Sequence, residues 1–306
     1  MNNIPVTVIG GYLGAGKTTL LNQLLRQADG ERLAVLVNDF GDIGIDAQLI
    51  ESRAENLINL AGGCVCCSFG NDLVDALQSL MAMEPLPQRI LIETSGVSMP
   101  LQVARTTTLV RGLVRDAVIV LADAQNVRDR ATDRYVADTV LGQLAQADLI
   151  VLTKTDLVDD TGLNETRQWL TQVAENIPIL ETGQHEVARE LLLGPPVSRD
   201  SNWQFQMMTR GDQASSRFES ICLSITEPVD PEALAAVLTA PHSGVARAKG
   251  FVTDGHGQCW LLQLAGSRVE LTTAPSTPGS LVLIGAKGQF AREPLETAIK
   301  GLLSPD

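Results

Sequence analysis

Gly11-Tyr12-Leu13-Gly14-Ala15-Gly16-Lys17-Thr18 follows the short apolar run Pro5–Ile9 and precedes a segment in which Leu20, Leu21, Leu24 and Leu25 recur at helical spacing. The octet fits G-x-x-x-x-G-K-[ST], and a strand before it with a helix after it is the context that pattern requires. The glycines let backbone N–H groups turn inward around phosphate oxygens, and the helix N-terminus adds its partial positive charge. Gly11, Gly14, Ala15, Gly16, Lys17, Thr18 and Thr19 are therefore expected to hold a nucleotide. Lys17 would reach its outer phosphates and the Thr18 hydroxyl would ligate Mg²⁺.

Outward from this loop, further apolar runs follow at Leu33–Val37, Arg89–Ile92, Ala117–Ala122, Leu149–Leu152 and Ile177–Leu180. Several stay apolar throughout, as strands covered on both faces do. Amphipathic patterns lie between them at Asp72–Leu80, Tyr135–Leu144 and Asn164–Ala174. Alternation of this kind predicts a doubly wound, mostly parallel α/β sheet of the P-loop NTPase type over residues 1–194. A stretch with Pro195, Pro196, Asn202 and Gly211 reads as a linker over 195–216. From 217 to 306 the pattern changes to strands at Phe218–Thr226, Ala246–Thr253, Cys259–Leu264, Arg268–Thr272 and Ser280–Ile284, with helices at Pro231–Leu238 and Glu293–Leu303. Asp254-Gly255-His256-Gly257 carries hairpin chemistry. A smaller C-terminal α+β domain is expected.

Composition narrows the function classes. A net charge of −13 over 306 residues argues against nucleic acid and anionic membrane as partners, because phosphate contacts want basic surface. No run approaches the ~18 apolar residues that span a bilayer, and the strand pattern beginning at Ile4 leaves no room for a secretory signal. A cytoplasmic location is the expectation. Five cysteines, three of them at Cys64, Cys66 and Cys67, suit thiol or metal chemistry in a reducing compartment better than a disulfide framework.

Two features bear on the nucleotide. Thr153-Lys154-Thr155-Asp156 closes the Leu149–Leu152 run and is a variant of the guanine-reading pattern N/T-K-x-D. Asp156 can accept from the two donors on one edge of guanine, a pair that adenine lacks. The Lys154 stem can pack on the base. Glu93-Thr94-Ser95-Gly96 closes the Arg89–Ile92 run; Glu93 would face the loop and hold Mg²⁺ directly or through water, and the Gly96 backbone would sense the γ-phosphate.

Gly62-Gly63-Cys64-Val65-Cys66-Cys67 lies between the second and third runs, downstream of Asn38-Asp39-Phe40-Gly41. Together with the phosphate loop, E-T-S-G, T-K-x-D and Arg247-Ala248-Lys249-Gly250-Phe251, these blocks stand in the order and spacing of the CobW-like metallochaperone GTPases. Those proteins are relatives of the nickel-inserting accessory GTPases of urease and hydrogenase, and the resemblance covers essentially the whole chain. It implies a Mg²⁺-dependent GTPase that carries a transition metal, zinc or cobalt, to a client metalloenzyme, with a homodimer compatible. On the residues themselves, three thiolates make a soft site for a borderline divalent ion, with a fourth position left open for transfer. Asp39 would position metal or water beside Lys17 and Glu93 in catalysis. A redox-active vicinal pair and small buried cysteines compete for the cluster; a small-molecule kinase and a nucleotide-gated interaction protein compete for the whole.

Three departures from the family pattern stand out. Asp39 replaces a more usual Glu, Thr153 stands where many GTPases carry a buttressing Asn, and no His-rich tract is present among the three histidines. Thr153 is expected to soften guanine selectivity. His185, His242 and His256 have no ligand spacing, His256 is expected in solvent, and Cys222 and Cys259 read as packing residues.

Overall fold

The computed structural model describes residues 3–28, 30–37, 58–59, 71–183, 187–194, 218–240, 242–274 and 279–303. It forms two compact units, Met1–Glu186 and Val187–Asp306.

The first unit is a seven-stranded sheet in which every pairing is parallel. Its strands are β1 (Ile4–Gly11), β2 (Leu33–Val37), β3 (Ile58–Asn59), β4 (Arg89–Glu93), β5 (Leu113–Asp123), β6 (Leu149–Thr153) and β7 (Ile179–Glu181), in the spatial order β3-β2-β4-β1-β5-β6-β7. The helices are α1 (Lys17–Arg26), α2 (Asn71–Met81), α3 (Pro100–Thr107), α4 (Val127–Arg130), α5 (Ala137–Ala145) and α6 (Asp160–Val173). Alternate residues of the central strands, among them Val6, Val8, Ile90, Val118 and Ile150, meet Leu73, Leu77 and Leu80 of α2, Val103 of α3, Leu144 of α5 and Leu170 of α6 in one buried cluster. Residues of the opposite parity, such as Ile9, Leu91 and Ile119, are equally buried, and α1 packs on β1 and β4 through its leucine stripe. Both faces are therefore covered, which is why the strands read as unbroken apolar runs.

The N-terminal edge of the sheet is tied by charge. A register shift between β1 and β5 leaves Asp116 opposite no residue of β1, and its carboxylate accepts from Thr7 Oγ1 at 2.7 Å and from Arg89 at 3.0 Å. The C-terminal edge carries the loops that form the site, as open parallel sheets require.

In the second unit, α7 (Arg189–Leu193) is followed by the antiparallel sheet β11-β10-β9-β12-β8. Its strands are β8 (Phe218–Ser224), β9 (Val245–Thr253), β10 (Cys259–Ala265), β11 (Arg268–Thr273) and β12 (Ser280–Ala286). Helices α8 (Pro231–Thr239) and α9 (Arg292–Leu303) bury Leu234, Leu238, Leu295 and Ile299 with Val252, Leu262 and Leu283 of the sheet. Asp254 organises the β9–β10 hairpin by accepting from the amides of His256 and Gln258 and from Trp260 Nε1, leaving His256 exposed.

The division between units falls after residue 186, not after 194 as the sequence suggested. Leu191, Leu192 and Leu193 are buried, α7 packs on β9 and β12, and Arg247 Nε donates to the Leu191 carbonyl at 3.3 Å. The apolar turn thus belongs to the second unit. The expected linker lies outside the described residues. Among the described residues, no helix is long and apolar enough to cross a membrane.

Candidate functional site

Strand β1 delivers the phosphate loop at the middle of the sheet. Gly11, Gly14 and Gly16 have φ of +133°, +79° and +94°, a region that L side chains rarely adopt. At Gly11 a Cβ would also stand 2.4 Å from the Leu121 carbonyl oxygen. Gly16 caps α1 and brings no side chain to its N-terminus, so the first-turn amides of α1 face the loop without a capping oxygen. Lys17 is buried, Thr18 half-buried and Thr19 exposed.

The parallel pairing of β1 with β4 sets Ile9 opposite Glu93 and brings Glu93 under the loop. Thr18 Oγ1 donates to Glu93 Oε1 at 2.9 Å, and Glu93 is only 4% exposed. Beyond Glu93 the turn closes on the loop itself: a Cβ at Gly96 would lie 2.6 Å from Leu13 Cδ2 and 2.8 Å from the Leu13 amide nitrogen. Only glycine permits that approach.

Strand β6 ends at Thr153, whose hydroxyl is turned toward the phosphate loop. The Thr153 hydroxyl lies 3.0 Å from the Ala15 carbonyl and 3.2 Å from the Ala122 carbonyl, so it holds the phosphate loop to the β5–β6 edge in place of an amide. Lys154 follows with φ of +58°, which turns the chain into the short 3₁₀ helix Thr155–Leu157 and sets Asp156 exposed at the rim. A Cβ at Gly183 would stand 2.8 Å from Asp156 Oδ1, and the Thr155 amide donates to Thr182 O. The Thr182-Gly183 turn after β7 therefore flanks Asp156.

Asp123, at the C-terminal end of β5, was not singled out by the sequence. Its carboxylate accepts from Lys154 Nζ at 2.6 Å, Asn126 Nδ2 at 3.1 Å and the Gln125 amide at 2.9 Å. Burial alone would raise its pKa. The bonds from Lys154, Asn126 and Gln125, with the charge of Lys154, outweigh that and hold it below the ordinary carboxylate range. The available signal was its position, a polar residue ending an apolar parallel strand at the ligand-binding edge. A second residue the sequence did not reveal is Gln143 of α5, whose amide donates to the Gly96 and Ser98 carbonyls at 3.1 and 2.8 Å. Between α5, α4 and the loop lies a cavity of about 150 Å³ bordered by Tyr12, Val120, Arg130 and Gln143, with the Arg130 guanidinium 5.9 Å from the Tyr12 ring centre.

The structure thus brings Gly11 to Thr18, Glu93, Thr153 and Lys154 to one edge of one sheet, with Asp156 at its rim. Asp39, Cys64, Cys66 and Cys67 lie outside the described residues, as does His185. Among the described residues no group of three or more His, Cys, Asp or Glu side chains is placed to hold a metal ion.

Comparison with known proteins agrees with this architecture. Residues 5–181 match the CobW/HypB/UreG nucleotide-binding domain, and residues 218–303 match the C-terminal domain of cobalamin synthesis protein cobW. A zinc chaperone CobW from a Sinorhizobium species is 32% identical over 307 residues, covering 87% of this chain and 86% of that protein. The zinc chaperone YjiA of Escherichia coli is 34% identical over 202 residues, covering 63% of this chain and 61% of that one. A crystal structure of the Zn(II)-bound YjiA GTPase aligns over 99% of this chain and 100% of its own, at 25% identity and a TM-score of 0.48. With both domains matched in order along the sequence, this protein belongs to the CobW/HypB/UreG family of nucleotide-binding proteins.

Proposed function

We propose that this protein binds GTP with Mg²⁺ at the phosphate loop, hydrolyses it, and uses the nucleotide state to control a transition-metal ion held by Cys64, Cys66 and Cys67. Zinc is the favoured cargo, with cobalt next, and a client metalloenzyme in the cytoplasm is the recipient. The observation that carries the nucleotide half is the Thr153 hydroxyl bonded to the Ala15 carbonyl, which joins the G-K-T loop and the T-K-x-D strand end in one site. Base and phosphates of a single nucleotide would be read from opposite ends of that contact. The metal half is supported by the C-x-C-C spacing and by the names of the relatives, which are zinc chaperones.

The donor set fits magnesium. Thr18 and Glu93 present a hydroxyl and a carboxylate 2.9 Å apart beside the loop, hard oxygen ligands of the kind Mg²⁺ takes together with phosphate and water. When bound, magnesium supplies charge neutralisation on the outer phosphates. The remaining work falls to the chain. Lys17 and the amides opening α1 hold the phosphate oxygens in place for in-line attack by water. Glu93 fixes the Thr18 hydroxyl, Asp39 orients metal or water, and Asp156 accepts from the guanine edge while Lys154, steadied by Asp123, packs on the base.

Hydrolysis would then alter the segment from Asp39 to the cysteines and change its hold on the ion. The test is a zinc titration of the full chain with a non-hydrolysable GTP analogue and again with GDP, repeated on Cys66→Ala. Zinc uptake that differs between nucleotides and is lost in Cys66→Ala supports the reading. Equal affinities in the two nucleotide states remove the coupling, and failure to take up labelled guanosine nucleotide removes the function as a whole.

A further inference from the structure

Helix α5 carries Gln143 between Val140 and Leu144, both in the apolar cluster beneath the sheet, and Gln143 is only 1% exposed. An amide at such a position costs desolvation that a leucine would not, unless its hydrogen bonds are made. They are made to one short segment: Nε2 reaches the Gly96 carbonyl at 3.1 Å and the Ser98 carbonyl at 2.8 Å. Gly96 in turn touches Leu13 of the phosphate loop so closely that a Cβ there would collide with the Leu13 backbone. Ser95 and Ser98 close the same turn with a 2.7 Å hydroxyl–hydroxyl hydrogen bond. Gln143 is therefore bonded to the carbonyl of the glycine that stands against the phosphate loop.

We infer that Gln143 is a positioning residue for the terminal phosphate: by holding the Gly96 carbonyl it sets which way the E-T-S-G turn presents its amides, and so favours guanosine triphosphate over diphosphate. The inference rests on the proposed GTP-binding function. Because GDP lacks the γ-phosphate, the diphosphate gains nothing from the turn, and its hold by Lys17, the loop amides and Asp156 is independent of Gln143. The fixed carbonyl also gives α5, and the cavity beside it, a direct mechanical link to the phosphate that hydrolysis removes.

Two variants test this, Gln143→Met, which keeps length and apolar character without a donor, and Gln143→His, whose ring N–H restores a donor at similar reach. Both are measured in the full chain by melting temperature, by affinity for fluorescent GDP and a non-hydrolysable GTP analogue, and by steady-state GTP hydrolysis. In Gln143→Met the analogue-to-GDP affinity ratio should fall about tenfold and kcat should fall with it, the scale of the lost hydrogen bond to the Gly96 carbonyl, with GDP affinity unchanged. Gln143→His should recover part of both. Equal losses for GDP and analogue would mark Gln143 as a merely structural anchor and overturn the inference, as would a Met variant indistinguishable from wild type. Should Gln143→Met not fold, Gln143→His decides alone, by whether its ratio stays near wild type while kcat is retained. Wild-type protein that binds no guanosine nucleotide would instead overturn the function on which the inference rests.

Discussion

Replacing Thr153 with valine removes one hydroxyl from the contact between the phosphate loop and the end of β6 and leaves the side-chain volume almost unchanged. Thr153 is 9% exposed and Ala15 2%, so no water is at hand to replace the lost donor. A single hydroxyl proton serves the two carbonyls at 3.0 and 3.2 Å, so the loss is one bond together with a buried carbonyl left short of a donor. That sum is about 1–3 kcal/mol. For a unit of this size each kcal/mol moves the melting temperature by about 2–4 °C, giving an expected drop of about 2–12 °C. The shift is read in the unfolding transition that added GDP raises, since that transition belongs to the nucleotide-binding unit. GDP and GTP analogue should weaken together, because the loop holds the phosphates that both share. Thr153→Ser keeps the donor and should stay within about twofold of wild-type affinity. A serine variant as impaired as the valine, or a valine variant unchanged in both melting and affinity, would refute the assignment of the hydroxyl as the tie.

Two further outcomes follow from the same site. Gly96→Ala would set a methyl 2.8 Å from the Leu13 amide nitrogen, a backbone atom that moves only if the phosphate loop moves; hydrolysis should fall at least about tenfold while GDP still binds, as measured by turnover beside a GDP titration. Asp123→Asn should remove one source of acid sensitivity. The folded Asp123 carboxyl lies below its unfolded value, so its stabilising contribution is complete above about pH 4 and is lost as pH falls through the folded value. Wild type and Asp123→Asn should thus differ most in stability at neutral pH and converge in acid, a trend that denaturant titrations at pH 7 and pH 3 check.

The strands of the first unit were legible because both faces of a parallel sheet are covered, which leaves unbroken runs such as Leu33–Val37. Helix α3 was not. It starts at Pro100 and ends in Thr106 and Thr107, too short and too rich in β-branched residues to show a clear period. Helix α6 begins at Asp160, four residues before the expected start, because Asp159 caps it by accepting from the Gly162 amide, a local bond that hydrophobic spacing does not register. At the site, the loop, Glu93 and Thr153-Lys154 could be read because each chemistry needs fixed residues at fixed spacing. Asp123 and Gln143 could not, since their partners lie 31 and 45–47 residues away and no pattern along the chain encodes them.

The contact between Thr153 and Ala15 spans 138 residues of chain. During synthesis the glycine-rich turn emerges early, yet the strand that completes its pocket follows only after all of those residues have been added. At roughly 5–20 residues per second the ribosome takes about 7–28 seconds to cover that distance. Throughout that interval the loop lacks the Thr153 tie, while β1 can already pair with β4 and β5 as they emerge, since β6 lies beyond β5 in the sheet. The full pocket, and with it the full stabilisation that a bound nucleotide can give this fold, is therefore available only after β6 has emerged.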